Sequence, residues 1–404
     1  MKNEKIIEFL MLTTVTFGFR FLSFDLGIAQ LTIFRFFLII ALFSLIVNKR
    51  TITICRQKKI ECNIIHIFFA MSTFTIVFAI DFASWIRTEF FILVALLIYI
   101  LYINTTNSID DICFLLKAYN ISILIQALIG VYEIVSHSYL FPHEDRVLAS
   151  YLSYSITPPV GMLSNINDYA TLMLFGIVIN YIFIKNSYKN EILYYLLTIL
   201  YSALIMLTGS RGCILGMLLF YGVLYFSFIR GVTKKVISGI VILGSMFFFK
   251  DYLIKVLRFD FAATANSDST RINLIKNGIL FLKQTFGFGI GAGQENYWLA
   301  NKMVYPTWGI TAFHNLWIEI AACFGLALLI LFVYSLLKYA KLFYKTSFSD
   351  NLQTRAVSSG FFLFLVELTI ASVSSSSLIK SEYFWAFFAI MSAYYCVLVG
   401  DIKR

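Results

Sequence analysis

The chain has 404 residues, 60% hydrophobic and 13% charged, with 42 Phe, 4 Pro and a mean hydropathy of +0.82. Uninterrupted apolar runs such as 31–47 exclude a membrane β-barrel, whose strands alternate over about 10 residues, and leave no room for a separate soluble domain. The net charge of +10 does not indicate nucleic acid, because Lys and Arg are dispersed at the ends of apolar runs, where they set topology.

A bilayer span needs about 20 apolar residues, and a helix satisfies its own backbone in lipid, so the chain reads as an all-α polytopic membrane bundle. About twelve spans are expected, near 6–24, 26–47, 64–80, 88–103, 111–136, 168–185, 191–208, 212–230, 235–250, 313–337, 356–374 and 381–400. The chain then divides into nine spans over 1–250, a long polar loop with short amphipathic helices over 251–312, and three spans over 313–404. The first run contains Arg20 and lacks a small-residue cleavage site, so it reads as a retained helix. Six scattered cysteines (55, 62, 113, 213, 323, 396) imply neither a disulfide framework nor a metal site. Lys and Arg crowd the termini and the even-numbered connections, while Arg87, Arg146, Arg211 and Lys380 are the few in short loops on the other face. This bias places both termini in the cytoplasm and the long intervals 137–167 and 251–312 outside it.

Taken in chain order, the polar residues single out a few positions. Arg20 and Arg35 fall inside apolar runs, where an arginine costs about 2.5–3.5 kcal/mol unless it faces a partner or cavity; Glu133, Glu319 and Glu367 are the candidate partners, and a structural ion pair is the alternative to ligand binding. Asn165-Ile166-Asn167-Asp168 forms a polar lead-in to the sixth span. Thr208-Gly209-Ser210-Arg211-Gly212 must turn tightly between two spans, which makes Arg211 either a residue reaching to lipid phosphates or an anion ligand beside backbone donors.

In the long loop, 270–286 reads as an amphipathic helix with Ile272, Ile275, Ile279, Leu282 and Phe286 on one side. Asp268 or Ser269 would cap it, Gly287 would end it, and it would lie on the membrane or fold over the bundle. The alternating glycines 287, 289, 291 and 293 lack the strand and helix of a dinucleotide site and read as a flexible loop whose backbone can approach a ligand. His314, at the junction of loop and span, stands with Asn315 and Glu319; His66, His137 and His143 lack such surroundings.

The ordered set of motifs resembles the O-antigen polymerase and O-antigen ligase superfamily. It comprises Gly161-Met162-Leu163-Ser164-Asn165-Ile166-Asn167-Asp168, then Thr208-Gly209-Ser210-Arg211-Gly212, Ser269-Thr270-Arg271, Phe288-Gly289-Ile290-Gly291-Ala292-Gly293, and His314-Asn315-Leu316-Trp317-Ile318-Glu319 with Gly325. The resemblance covers roughly 150–335 with motifs and the flanks by hydropathy alone.

It implies a metal-independent, inverting membrane glycosyltransferase without cofactor, acting on oligosaccharide linked to undecaprenyl pyrophosphate in the inner membrane. Arg211 and Arg271 would stabilise the departing pyrophosphate, with Arg20, Arg35, Arg258, Asn167, Asn315 and Glu319 as further substrate contacts. His314 would be the general base or a pyrophosphate contact. A polymerase of repeat units for O-antigen, capsule or exopolysaccharide is the preferred reading, with a ligase to lipid A core or protein as the alternative. Membrane lipids, a flippase and a chain-length regulator are the candidate partners. An exporter of lipid-linked sugars is the non-enzymatic reading; against it, no pair of interrupted helices repeats and the polar residues gather at one face rather than the midplane.

Overall fold

The computed structural model describes residues 2–25, 30–48, 51–54, 56–141, 157–163, 165–186, 190–228, 231, 236 and 261–401. Among these, nine helices are long and apolar enough to cross a membrane, and the architecture is the expected all-α polytopic bundle.

The first two expected spans are shorter than their apolar runs. Helix α1 is Lys2–Thr13, and α2 is Ile33–Val47, with a small antiparallel ribbon, β1 (Ser23–Asp25) and β2 (Gln30–Thr32), between them. The hydroxyls of Thr13 and Thr14 bond back to the Leu10 carbonyl at 3.0 Å, an arrangement that competes with helix continuation, and Gly18 then takes φ +56°. Arg20 therefore sits in a turn after α1, and Arg35 in the first turn of α2. Neither is deep within a span, which corrects the expectation from hydropathy alone.

The next elements are α3 (Ile64–Phe74), α4 (Phe82–Thr105) and α5 (Ile109–Ser136), the last opened by a Ser108–Asp111 capping box. They are followed by α6 (Ile166–Lys185), α7 (Glu191–Thr208) and α8 (Arg211–Val223), which runs on through a π turn to Phe228. The span expected at 235–250, and Arg258 beyond it, lie outside the described residues.

The long loop holds α9 (Phe261–Gln284) and α10 (Glu295–Asn301). Helix α9 begins well before residue 270, so Asp268 and Ser269 are internal to it and are not caps. It docks on the bundle through Thr270, Leu274, Asn277 and Phe281, all buried, at the i, i+4, i+7, i+11 spacing of one helical face. Of the apolar side read from the sequence, Ile272, Ile279 and Phe286 are exposed and Ile275 and Leu282 half-buried, so a different side meets the bundle. Gly278 and Asn277 explain the choice. An atom added at Gly278 would meet Ile318 and Phe313, and Asn277 accepts from the backbone N–H of Val304 at 3.0 Å and donates to the Tyr305 carbonyl at 2.8 Å.

The expected span 313–337 is broken. It consists of α11 (Leu316–Glu319), a π turn over Ile320–Phe324, Gly325 at φ +94°, and α12 (Leu326–Thr346). The glycine segment 287–293 lies against this break as a strap. Ile290 N–H donates to Ala322 O at 2.7 Å, Gly291 N–H to Cys323 O at 3.0 Å, and Leu326 N–H to Gly287 O at 2.9 Å. Carbonyls that the break releases from helical bonding are thus satisfied.

Helices α13 (Leu352–Ala371) and α14 (Glu382–Asp401) complete the bundle, with α6 and α14 the most completely buried of the spans. Lipid supplies no hydrophobic drive between helices, so close packing must hold them. Phe175 stacks on Phe387 with ring centroids 4.9 Å apart, and a Cβ added at Gly176 would lie 2.5 Å from the Tyr201 ring.

Candidate functional site

Four pieces of chain meet at one end of the bundle: the starts of α6 and α8, the segment 313–316, and the connection 372–381 between α13 and α14. The connection is the hub. Its run Ser372-Val373-Ser374-Ser375-Ser376-Ser377 leaves α13 in tight turns, with Ser374 N–H donating to Ala371 O at 3.2 Å, and its short hydroxyls reach neighbours on every side. Ser375 Oγ donates to Asp168 Oδ1 at 2.8 Å and Ser376 N–H to the same oxygen at 2.9 Å, while Ser376 Oγ bonds Asp168 Oδ2. Ser377 Oγ donates to Glu319 Oε1 at 2.6 Å, and the Ser372 carbonyl accepts from Leu316 N–H at 3.0 Å. Ser374 packs against Gly212, where an added Cβ would lie 2.7 Å from the serine Cβ.

His314 stands at this meeting point with its backbone in the left-handed region, φ +50°, a conformation in which His is enriched among non-glycine residues. The side chain is half-buried, and the Ser375 carbonyl acts on its ring. Burial holds the imidazole below its ordinary value and the Arg271 guanidinium adds to this, while Asp168 and the Ser375 carbonyl act in the opposite direction. The structure thus brings Arg271 from α9 and Asp168 from α6 to the same histidine. Asn315 is committed locally: its side-chain oxygen caps α11 by accepting from Trp317 N–H at 3.0 Å and Ile318 N–H at 3.2 Å.

The turn before α8 is built as its residue types suggest. Gly209 takes φ +66°, Ser210 N–H donates to Thr208 Oγ1 at 3.1 Å, and Ser210 Oγ donates to Asn167 Oδ1 at 2.7 Å. Arg211 is consequently the first residue of a 13-residue helix, at the end where backbone N–H groups and the helix dipole favour an anion. Asn167 ties this turn to α6, one residue from Asp168.

The remaining expected contacts separate. Glu319 shares a buried neighbourhood with Glu295, Lys380 and Asp168; Lys380 pairs with Glu295, and the other Glu319 oxygen has no hydrogen-bond partner among the described residues. Arg35 forms an ion pair with Glu382, bonds the Gln30 carbonyl and lies over the Phe90 and Phe91 rings. The ion-pair alternative therefore holds for Arg35, with Glu382 in place of the three expected glutamates. Arg20 acts on Glu133, whose carboxylate accepts from Val160 N–H at 2.9 Å and Gly161 N–H at 3.0 Å. Glu367 is buried with neither oxygen bonded among the described residues.

The glycine strap approaches protein backbone and not an open cleft, which corrects the expectation of a flexible ligand loop. Gly289 faces Gly325 and Cys323, and Gly293 faces Ser84 and Thr88. Gln294 then anchors the strap, its side-chain oxygen accepting from Ile80 N–H at 2.9 Å and Asp81 N–H at 2.8 Å.

Sequence reasoning passed over Asp168 as a site residue, together with the serine run, Glu295 and the partner of Lys380. The serine run was the available signal: six residues with five hydroxyls between two apolar spans.

Residues 196–333 match the O-antigen ligase family model, a stretch that contains Arg211, Arg271, His314 and Glu319. This match supports a membrane polysaccharide-biosynthesis protein of the O-antigen ligase and polymerase type. It is 27% identical over 403 residues to the teichuronic acid biosynthesis protein TuaE of Bacillus subtilis (strain 168), with 92% of this chain and 80% of that protein covered.

Proposed function

We propose that the protein is a glycosyltransferase that polymerises oligosaccharide repeat units carried on a polyprenyl pyrophosphate, at the outer face of the inner membrane, with both termini in the cytoplasm. The observation that carries this reading is the convergence of His314, Arg271 and Asp168 beside the Arg211 helix start, around one serine-lined connection. An acceptor sugar hydroxyl attacks the anomeric carbon of the donor. Its proton passes to the free nitrogen of His314, the bond from anomeric carbon to pyrophosphate oxygen breaks, and the leaving group takes the electron pair. Arg211 and Arg271 face the charge that develops on the leaving group, the task of fixed cations in such a step. Asn167 and Glu319 line the same end as sugar contacts.

TuaE is named for the biosynthesis of a teichuronic acid, which supports a role in polysaccharide assembly. The test is the full-length protein in liposomes with polyprenyl-pyrophosphate-linked oligosaccharide. A ladder of lengthened product, unchanged by a metal chelator, is expected. Unlengthened donor with glycan moved onto an added lipid or protein acceptor would establish the ligase instead, and passage of intact donor across the bilayer without chemistry would establish an exporter. Orientation is tested by labelling a cysteine placed at the exposed Lys302. It should react in intact cells; reaction only after the cytoplasmic face is opened would overturn the topology.

A further inference from the structure

We propose that Asp168 is the positioning residue of His314, and that the serine connection between α13 and α14 exists to hold the two against each other. The inference rests on the reading of His314 as the base and adds to it the group that orients that base and offsets its charge.

The geometry runs through the serine connection. The segment that carries His314 is tied to it by Leu316 N–H donating to Ser372 O at 3.0 Å, the Ser375 carbonyl acts on the His314 ring, and the Ser375 hydroxyl donates to Asp168 Oδ1 at 2.8 Å. The hydroxyl bond fixes the carboxylate on the same support that holds the histidine segment. Ser376 adds its N–H at 2.9 Å and its hydroxyl.

An ordinary first-turn acid would cap α6. In that role it would reach back to the N-cap backbone. Asp168 does otherwise: both of its oxygens go to the distant connection, although it is buried. A buried carboxylate costs several kcal/mol to desolvate unless it meets donors and a cation, and a protonated His314 supplies the cation. The charged groups that act on His314 are Arg271 from α9 and Asp168 from α6; Glu319, on the short helix α11 that follows it, faces Glu295 from α10, Lys380 from the connection and Asp168. When His314 takes a proton, Arg271 opposes the new charge and Asp168 offsets it.

The experiment reads His314 directly. The chain has four histidines, so replacing His66, His137 and His143 leaves one, and its acylation by diethyl pyrocarbonate, followed against pH by mass spectrometry in the reconstituted full chain, gives its titration midpoint. Asp168→Asn removes the carboxylate charge, and the midpoint should move down the pH scale by about 1. Polymer formation at neutral pH should fall at least about tenfold, with its acidic limb displaced in the same direction. An unmoved midpoint in a folded Asp168→Asn protein overturns the proposal. A moved midpoint with an unmoved polymerisation profile would keep Asp168 as the partner of His314 and remove His314 as the base.

If Asp168→Asn does not reach the membrane, the double variant Ser375→Ala, Ser376→Ala serves as the second arm. It keeps the carboxylate and deletes both hydroxyl donors, so the midpoint should move in the same direction by a smaller amount and activity should fall. No change in either quantity would sink the idea.

Discussion

The two ends of the bundle both bury polar side chains, and they use them differently. At the end opposite the site, hydroxyls bridge helices. Tyr339 donates to the Glu61 carbonyl at 2.8 Å, Tyr395 to Glu61 Oε1 at 3.1 Å, and the Ser358 and Tyr394 hydroxyls are hydrogen-bonded at 2.7 Å. Their rings stack in the same cluster, Tyr339 on Tyr395 at 4.4 Å between centroids. At the site end the polar groups are carboxylates, arginines and a histidine, several of them facing one another, and one Glu319 oxygen stays without a hydrogen-bond partner among the described residues. Hydroxyls bonded from one helix to the next glue helices together. Mutually opposed charges with spare capacity are a poor adhesive and a good reaction site.

The difference is broken most severely by altering the base or the arginines at the site end. His314→Ala should leave membrane levels normal and lower turnover at least about a hundredfold, the lower part of the range for a general base. Arg211→Lys and Arg271→Lys should each lose about a hundredfold, on the order of 3 kcal/mol, because lysine keeps the charge and lacks the two-pronged donor geometry. Wild-type polymer yield from both lysine variants at equal expression would show that neither arginine holds the pyrophosphate.

Next in size is the strap. A Cβ at Gly289 would lie 2.7 Å from Gly325 N and 2.8 Å from Cys323 O, at φ +88°. Gly289→Ala should therefore cost about 2–5 kcal/mol from the left-handed backbone and overpacking together. The loss should be visible as a lower unfolding temperature in detergent and less protein in the membrane; an unchanged melting profile would mean that the strap is not seated there.

The pH profile gives a finer separation. Neutral His314 is the active base, so activity is present above its pKa and is lost as pH falls through it. Burial and Arg271 hold that pKa below the ordinary value of about 6.5, so the acidic limb should lie below pH ~6.5. In Arg271→Ala the acylation midpoint of His314 should move upward, opposite in sign to Asp168→Asn, because a repelling cation is removed. Movement in the same direction in both variants would mean that charge does not control the ring.

The smallest effect belongs to the opposite end. Tyr395→Phe deletes one hydroxyl bond to Glu61 and should cost about 1 kcal/mol of stability, with polymerisation within about twofold of wild type. A large activity loss there would erase the distinction between the two ends.

Much of this was legible from residue type alone, and the reasons differ from place to place. The spans from 64 to 228 follow apolar runs closely, because a helix in lipid has no competitor for its backbone bonds. The tight Gly209–Arg211 turn and the His314 junction were readable because Arg and His are costly inside lipid, and because Gly and Ser beside Arg211 favour a turn. What escaped were facts fixed by other parts of the chain. The early end of α1 depends on threonine hydroxyls bonding backward, and the outward turn of Ile272 and Ile279 is decided by Asn277 and Gly278 meeting Tyr305, Ile318 and Phe313. The pairing of Arg35 with Glu382 joins residues 347 positions apart, and periodicity holds no record of such a distance. The same is true of Asp168, whose role is visible only once the serine connection is beside it.

The strap also sets a rule for altering the protein. Its bonds at Ile290, Gly291 and Leu326 pair backbone with backbone, one residue against one residue, and Gln294 pins its far end to the α3–α4 connection. Inserting even one residue between 287 and 294 would shift that register and pull the break at Gly325 out of alignment. The tip near Trp308 and Gly309 is different: Trp308 is exposed and nothing lies within 4 Å of a Cβ built at Gly309, so an epitope or a fluorophore-binding peptide should be accommodated there, as at other exposed loop tips. One polar loop thus contains a stretch whose length is inflexible and another, some fifteen residues on, that is open to insertion.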